Sequence, residues 1–309
     1  MSKLKLNVNQ VLKKLLPGIK RNVLLKEYTT FKIGGPAQFF YEAKTETDLI
    51  KAVLIAQKLK LPFFILGNGS NLLVNDKGYR GLIIKIKNQK LKIKKTREKS
   101  KIIEGGAGVL LNQLVFFAIR NNLTNIEWAV GIPGTIGGAI YGNAGAFNKS
   151  MADITKTVTV LDIKKNKILK IKNQDCQFAY RNSLFKKKNQ NLIILSAELE
   201  LKKGNKKEIK EKIKNYLHYR TTTQPLNFPS AGSIFLNPPQ QSAAYLIEQC
   251  GLKGKRIGQA KVSEKHANFI LNLGRARASE VKKLINLIKR EVKKKFKINL
   301  QEEIIFLGF

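Results

Sequence analysis

Two glycine-rich segments of this 309-residue chain have the composition of loops that bind a phosphorylated cofactor. The first, 67–71, reads Gly-Asn-Gly-Ser-Asn and follows an apolar run, and its successive backbone N–H groups can form a nest for phosphate oxygens. The second, 131–139, is made of small residues that let the backbone approach a flat ring system. Each segment alone could equally be a tight structural turn. Together with the uncharged stretch 128–148, they favour a dinucleotide cofactor held outside the Rossmann fold.

The familiar nucleotide-binding and hydrolase motifs are absent from the sequence. Leu72 stands where a Rossmann fingerprint starting at Gly67 needs its third glycine. The sequence has no G-x-x-x-x-G-K-[ST] loop and no G-x-S-x-G nucleophile elbow. Two cysteines and two widely separated histidines argue against a zinc site and a disulfide framework. We therefore expect no metal site and a reducing, cytoplasmic compartment.

Three polar groups stand in apolar surroundings. Arg181 lies between two phenylalanines and could clamp a carboxylate, although a surface salt bridge is the plainer alternative. Ser233 presents a hydroxyl after a glycine turn, unless it is simply a turn or cap serine. Alternation in the acidic-apolar segment 300–307 turns either Glu302 or Glu303 inward, where a carboxylate needs a partner or a function.

The net charge of +37 suggests nucleic acid as a partner. Most of the 58 basic residues are lysines spread over every segment, however, whereas base recognition favours the arginine fork. We therefore expect no specific nucleic-acid site, and only sequence-independent binding that weakens with salt. An anionic substrate fits the same sign of charge.

The pattern of apolar residues predicts α+β elements that carry these groups. Helices are predicted over 47–61, 110–121, 208–220 and 243–250, and another from Ser279 onward, with Thr47 and Ser279 as caps of their helices. Strands are predicted over 63–66, 72–74, 192–201 and 300–307, as a pair within 82–103, and as a hairpin over 158–171. The stretch 128–148 is long enough to span a membrane, but its six glycines and Pro133 argue against a helix.

Seven segments in this order resemble the UDP-N-acetylenolpyruvoylglucosamine reductase family of flavoenzymes. They are distributed along most of the chain, at 29–35, 66–76, 131–147, 178–183, 229–235, 251–272 and 300–304. The layout of 180–186 and 224–233 resembles the shorter of the family's two branches. The sequence departs from the family pattern at Leu236, at Asn268 and at Phe147-Asn148.

The resemblance implies an α+β fold of the vanillyl-alcohol oxidase FAD-binding type, with two FAD-binding subdomains and a substrate-binding α+β domain. Residues 1–80 and 81–203 would be the FAD-binding subdomains. Residues 204–298 would be the substrate-binding domain, and 299–309 a C-terminal strand that carries Glu303.

The resemblance also implies a site and a reaction. NADPH would reduce non-covalently bound FAD, and UDP-N-acetylglucosamine enolpyruvate would then be reduced to UDP-N-acetylmuramate, in a cytoplasmic, monomeric enzyme of peptidoglycan synthesis. Arg181 and Glu303 would polarise the substrate carboxylate, and Ser233 would supply a proton. Tyr180 and Asn237 would contact the substrate. The residues implied in FAD binding are Gly67, Asn68, Gly69, Ser70, Asn71, Ile132, Pro133, Gly134, Thr135, Gly137, Gly138, Ala139 and Arg220.

Two other functions remain open at this point. One is a different flavin oxidoreductase on the same fold, such as an alcohol oxidase, although the arginine, serine and glutamate set argues against it. The other is a basic RNA-binding protein without catalysis. A yellow purified protein with flavin absorbance would exclude the second.

Overall fold

The computed structural model describes residues 2–187 and 191–309, and side chains from residue 8 onward. The chain forms two compact units, and each is built from three stretches of sequence. Unit 1 comprises Met1–Arg21, Phe39–Asn68 and Gly81–His218. Unit 2 comprises Asn22–Gln38, Gly69–Arg80 and Tyr219–Phe309.

Helices and strands alternate irregularly along the chain, as expected of an α+β protein. The helices are α1 Ser2–Leu15, α2 Glu46–Lys58, α3 Leu111–Arg120, α4 Ile136–Tyr141, α5 Leu184–Lys187, α6 Lys206–Thr223, α7 Ala243–Gln249 and α8 Ala278–Phe296. The strands are β1 Lys20–Leu24, β2 Pro36–Ala43, β3 Phe63–Leu66, β4 Leu72–Val74, β5 Tyr79–Ile86, β6 Leu91–Thr96, β7 Ser100–Gly106, β8 Leu123–Thr124, β9 Gly145–Ala146, β10 Lys149–Ser150, β11 Thr155–Asp162, β12 Lys167–Lys172, β13 Leu192–Lys203, β14 Arg256–Ile257, β15 Ala260–Val262, β16 Ile270–Asn272 and β17 Ile305–Leu307.

Strands of two sheets line the core of unit 1. The larger sheet has the order β12-β11-β13-β7-β6, with β8 also paired to β13. The smaller sheet has the order β1-β2-β5-β3, and its β3 and β5 are parallel. Helix α2 buries the apolar face that its periodicity predicts, which contributes to this core. Its cap is Thr45, which forms a capping box with Asp48, so the prediction of Thr47 as the cap was wrong.

Unit 2 has its own core, formed around α7, α8 and the three-stranded antiparallel sheet β14-β15-β16. Strands β4 and β17 pair in parallel, which brings the chain that follows 67–71 beside the C-terminal strand. Helix α8 buries the predicted apolar face of Val281, Leu284, Ile285, Ile288 and Val292.

Two strand predictions were wrong in extent. Segment 82–103 contributes to three strands rather than two, because β5 belongs to the smaller sheet and β6 and β7 to the larger one. The predicted strand 300–307 is regular only over Ile305–Leu307, since Glu302 makes a single bridge to Phe235. Among the described residues, no helix is both long enough and apolar enough to cross a bilayer.

The N-terminus of α8 is capped by a residue that is distant in sequence. Asp76 accepts hydrogen bonds from the backbone N–H groups of Ala278, at 2.7 Å, and Ser279, at 3.1 Å. Ser279 therefore lies inside the first turn, and the prediction that it caps this helix was wrong. The negative Asp76 carboxylate also lies at the positive end of the helix dipole, where a negative charge stabilises the helix.

We expect Asp76→Ala to lower the free energy of unfolding by about 1–2 kcal/mol, the usual cost of removing such a cap. Thermal unfolding followed by circular dichroism measures the effect. The matched control is Ser279→Ala, which leaves the cap in place and should change stability by no more than about 0.5 kcal/mol. Equal destabilisation by the two variants would show that Asp76 is not the cap.

Candidate functional site

The first glycine-rich loop begins where β3 ends, and it meets the second loop within unit 1. The Asn68 side chain donates a hydrogen bond to the Pro133 carbonyl oxygen at 2.7 Å. Gly67 packs so closely that a Cβ at this position would lie 2.8 Å from the Thr135 hydroxyl oxygen. The start of the first loop, 67–71, therefore contacts the middle of the second loop, 131–139.

The small residues of the second loop differ in their surroundings: some permit close packing, and others leave the backbone open. Gly137 permits close packing, because a Cβ there would lie 2.8 Å from the Cβ of Ala107. A Cβ on Gly138 would meet only the Thr135 hydroxyl oxygen, at 3.4 Å, so that this glycine borders open space. The same hydroxyl accepts from the Gly138 N–H at 3.2 Å and caps α4. The loop thus contains both a structural turn and an open backbone surface.

The remaining residues of the first loop belong to unit 2. Gly69 has a φ of +65°, and a Cβ there would collide with the Tyr28 carbonyl oxygen, so glycine is required at this position. The Asn71 side chain donates to the Glu303 carbonyl oxygen at 3.0 Å. The Ile305 N–H in turn donates to the Asn71 carbonyl oxygen at 3.0 Å. Asn71 is therefore a structural link to the segment of Glu303.

The backbone donors of the first loop fit an anionic group. Within residues 2–187 and 191–309, the N–H groups of Asn68, Gly69 and Ser70 donate to no other residue. Successive N–H groups of this kind, in a loop containing a left-handed residue, bind phosphate oxygens. This donor set matches the diphosphate of a dinucleotide.

Arg181 lies in unit 1, in a turn with left-handed backbone at φ +51°. Its Nη1 donates to the Gly145 carbonyl oxygen at 3.0 Å, and its guanidinium carbon lies 5.6 Å from the ring centroid of Tyr180. The buried Asn143 side chain donates to the Ala179 carbonyl oxygen at 2.9 Å and so supports the turn. Arg181 is half-buried, and these contacts orient its guanidinium.

Ser233 and Glu303 lie on neighbouring extended segments of unit 2. Ser233 is bridged to Phe269, and the Ile234 carbonyl oxygen accepts from the Glu303 N–H at 2.8 Å. Both residues are half-buried. The structure thus brings together two of the three implied catalytic residues, which stand 70 positions apart in the sequence.

Two buried asparagines that hold these segments were not recognised as positioning residues from the sequence. Asn268 is 3% exposed, and its side chain accepts from the Phe235 N–H at 2.9 Å and donates to the Phe235 carbonyl oxygen at 2.8 Å. The Asn268 amide therefore pairs with the backbone next to Ser233 in the way that a neighbouring strand would. Asn143 supports the turn of Arg181 through one hydrogen bond, from its side chain to the Ala179 carbonyl oxygen. In the sequence, Asn268 stands out as a departure from the family pattern, and Asn143 is a polar residue of the uncharged stretch 128–148.

The departure at Phe147-Asn148 has a conformational explanation. These two residues form the turn between β9 and β10, and both have left-handed backbone, at φ +53° and +55°. Asparagine tolerates this conformation better than other residues with a side chain, which suits Asn148 to this turn. Phe147 also stacks on Tyr216 of α6, with ring centroids 4.2 Å apart.

The other predicted binding residues occupy different environments. Arg220 is buried near the end of α6. Tyr180 is 58% exposed, as a substrate contact would need to be. Asn237 is exposed, and its side-chain oxygen accepts from the Ala243 N–H at the start of α7, at 3.0 Å. Leu236 pairs through its backbone with the Gln301 carbonyl oxygen at 2.9 Å.

Known proteins match this chain over nearly its whole length. A family model described as an FAD binding domain matches residues 37–172. A second, described as the C-terminal domain of UDP-N-acetylenolpyruvoylglucosamine reductase, matches residues 224–307. The match of residues 37–172 to an FAD binding domain supports the expected α+β FAD-binding fold.

Curated relatives and a solved structure extend the match. A UDP-N-acetylenolpyruvoylglucosamine reductase of Caldanaerobacter subterraneus subsp. tengcongensis is 45% identical over 93% of this chain and 93% of the relative. The protein of the same name from Clostridium novyi is 37% identical over 98% and 97%. The crystal structure of UDP-N-acetylenolpyruvylglucosamine reductase from Thermus caldophilus has a TM-score of 0.80 and 36% identity, covering 94% of this chain and 99% of that one. The expected fold is thereby confirmed.

Proposed function

The chain belongs to the UDP-N-acetylenolpyruvoylglucosamine reductase family, and from this premise we propose that it uses NADPH to reduce UDP-N-acetylglucosamine enolpyruvate to UDP-N-acetylmuramate for peptidoglycan. The protein is an FAD-dependent oxidoreductase. The observation that carries the finer proposal is the pairing of Ser233 and Glu303 on hydrogen-bonded neighbouring segments. This pairing places a hydroxyl that can donate a proton near a carboxyl group that can polarise a substrate.

The cofactor residues follow from the two glycine-rich loops. The N–H groups of Asn68, Gly69 and Ser70 would hold the diphosphate, and Gly138 would offer open backbone to the ring system. When bound, FAD supplies a hydride carrier between NADPH and the terminal vinyl carbon. Arg220, which is buried, would contribute a positive charge to cofactor binding.

The remaining roles belong to side chains of the chain itself. We assign binding of the enolpyruvyl carboxylate to the Arg181 guanidinium. To Glu303 we assign stabilisation of the negative charge that develops during the reduction. The Ser233 hydroxyl donates its proton to the carbon next to that carboxylate. The double bond thus gains one hydride and one proton. Tyr180 and Asn237 contact the sugar nucleotide.

The setting of the reaction is part of the same proposal. We place the enzyme in the cytoplasm as a monomer, with residues 204–298 as the substrate-binding domain. Its two cysteines are both free thiols, as is usual in a reducing compartment. The net charge of +37 favours the approach of two anionic substrates.

We expect all of the FAD to be bound without a covalent link. Neither 67–71 nor 131–139 contains a cysteine or histidine to attach the flavin. Burial raises the pKa of the Cys176 thiol to about 12, so it does not form a reactive thiolate at neutral pH. Acid precipitation of the purified protein should leave all flavin absorbance in the supernatant. Flavin that stays with the precipitate would contradict non-covalent binding.

The reaction itself is tested by supplying both substrates to the purified protein without oxygen. We expect NADPH to be consumed in equal amount to UDP-N-acetylglucosamine enolpyruvate, with UDP-N-acetylmuramate as the product. UDP-N-acetylglucosamine, which lacks the enolpyruvyl group, is the control and should consume no NADPH. A flavin-loaded protein that leaves the enolpyruvyl substrate unchanged would refute the proposed function.

A further inference from the structure

Lys85 is a basic residue within the apolar run 82–86 of β5, next to the first cofactor loop. It lies on β5 opposite Leu66, the last residue of β3. Leu82, Ile84 and Ile86 of the same strand point into the core of unit 1, so Lys85 lies on the other face of the sheet. There its half-buried ammonium donates a hydrogen bond to the Gly67 carbonyl oxygen.

We infer that Lys85 is a positioning residue for the FAD diphosphate. Its ammonium binds the Gly67 carbonyl oxygen and so fixes the orientation of the peptide group between Gly67 and Asn68. The N–H groups of Asn68, Gly69 and Ser70 then remain available to the diphosphate. It also places a positive charge beside the start of the loop that receives an anion. This inference depends on the proposed placement of the diphosphate at 67–71.

The environment of Lys85 makes this contact sensitive to pH. Burial is the main cause that lowers the pKa of Lys85, to about 8; nearby Lys87 lowers it further, and Glu42 on β2 raises it. Glu42 also pairs with Lys87, at 3.6 Å. A diphosphate beside the ammonium favours its charged form and raises this pKa in the complex. By linkage, FAD affinity is greatest below pH 8 and falls as the pH rises through the pKa of the free protein.

The test is the dissociation constant of FAD, measured by titrating the flavin-free full-length protein well below and well above pH 8. The dissociation constant of the wild type should increase by about 10-fold above pH 8, the value of a charge-assisted hydrogen bond. Lys85→Met should bind about 10-fold more weakly below pH 8 and show no such dependence. Lys85→Arg should bind tightly at both pH values, because a guanidinium does not titrate in this range.

Lys87→Met is the matched control, since it removes the same charge from a neighbouring position. The FAD affinity of the Lys87→Met variant below pH 8 should equal that of the wild type. The decline of FAD affinity should occur at higher pH in this variant, because Lys87 lowers the pKa of Lys85. Wild-type affinity that is constant across pH 8, or a Lys85→Met variant that matches the wild type, would overturn the role of Lys85 and leave the flavoenzyme assignment intact. A wild-type protein that binds no FAD at either pH would instead refute the proposed function.

Discussion

Ser233→Ala should slow the oxidation of the reduced flavin by the enolpyruvyl substrate by about 10²–10⁴-fold, the usual contribution of a positioned general acid. Reduction of the flavin by NADPH should stay near the wild-type rate, because the substitution removes one hydroxyl and leaves the two glycine-rich loops unchanged. Stopped-flow flavin absorbance measures the two half-reactions separately. The expected pattern is therefore a selective loss of the second half-reaction.

Two further variants separate proton donation from a role in the turn. Ser233→Cys should recover part of the rate, because a thiol can still donate a proton. Ser230→Ala removes a neighbouring hydroxyl that accepts a 3.4 Å hydrogen bond from the Gly232 N–H, and it should leave both half-reactions near normal. If Ser233→Ala slowed the NADPH step and spared the substrate step, Ser233 would be a turn residue that supports the cofactor site.

Arg181→Lys should slow the substrate half-reaction by about 10²–10³-fold, the range for removing one stabiliser of developing negative charge. The planar guanidinium can donate to the Gly145 carbonyl oxygen, stack beside Tyr180 and still offer a fork to a carboxylate. A lysine ammonium cannot make these contacts together. The rate of substrate oxidation of the flavin, with NADPH reduction as the internal reference, measures the loss.

Arg120→Lys is the matched control for Arg181→Lys. Arg120 is exposed at the end of α3 in the same unit, and the conservative change there should alter neither half-reaction. An Arg181→Lys variant that oxidises its flavin with substrate at the wild-type rate would exclude Arg181 from carboxylate binding. Equal loss in both half-reactions would indicate damage to the cofactor site instead.

Local patterns predicted much of the scaffold. The apolar stripe of α8 and that of α2 were evident because a helix repeats every 3.6 residues, and both stripes are buried. The hairpin of β11 and β12 was evident from alternation and a polar turn. The two cofactor loops were recognisable because each needs backbone that only small residues permit.

Contacts between residues distant in sequence could not be predicted. The cap that Asp76 provides to α8 joins positions about 200 residues apart. The structural role of Asn268 was not recognised because its amide binds the backbone of Phe235, which is distant in sequence. Lys85 was likewise read as one more lysine of a basic chain, since its contact with Gly67 depends on how β3 and β5 pair. Periodicity reports which face is buried, but not which segment covers it.

A single anaerobic stopped-flow experiment tests the proposed reaction most directly. The FAD-loaded protein is mixed first with NADPH and then with UDP-N-acetylglucosamine enolpyruvate, while the absorbance of oxidised flavin is followed. We predict that NADPH bleaches this absorbance and that the enolpyruvyl substrate restores it, with UDP-N-acetylmuramate formed in equal amount to the flavin. Bleached flavin that the enolpyruvyl substrate fails to reoxidise would contradict the proposed reaction.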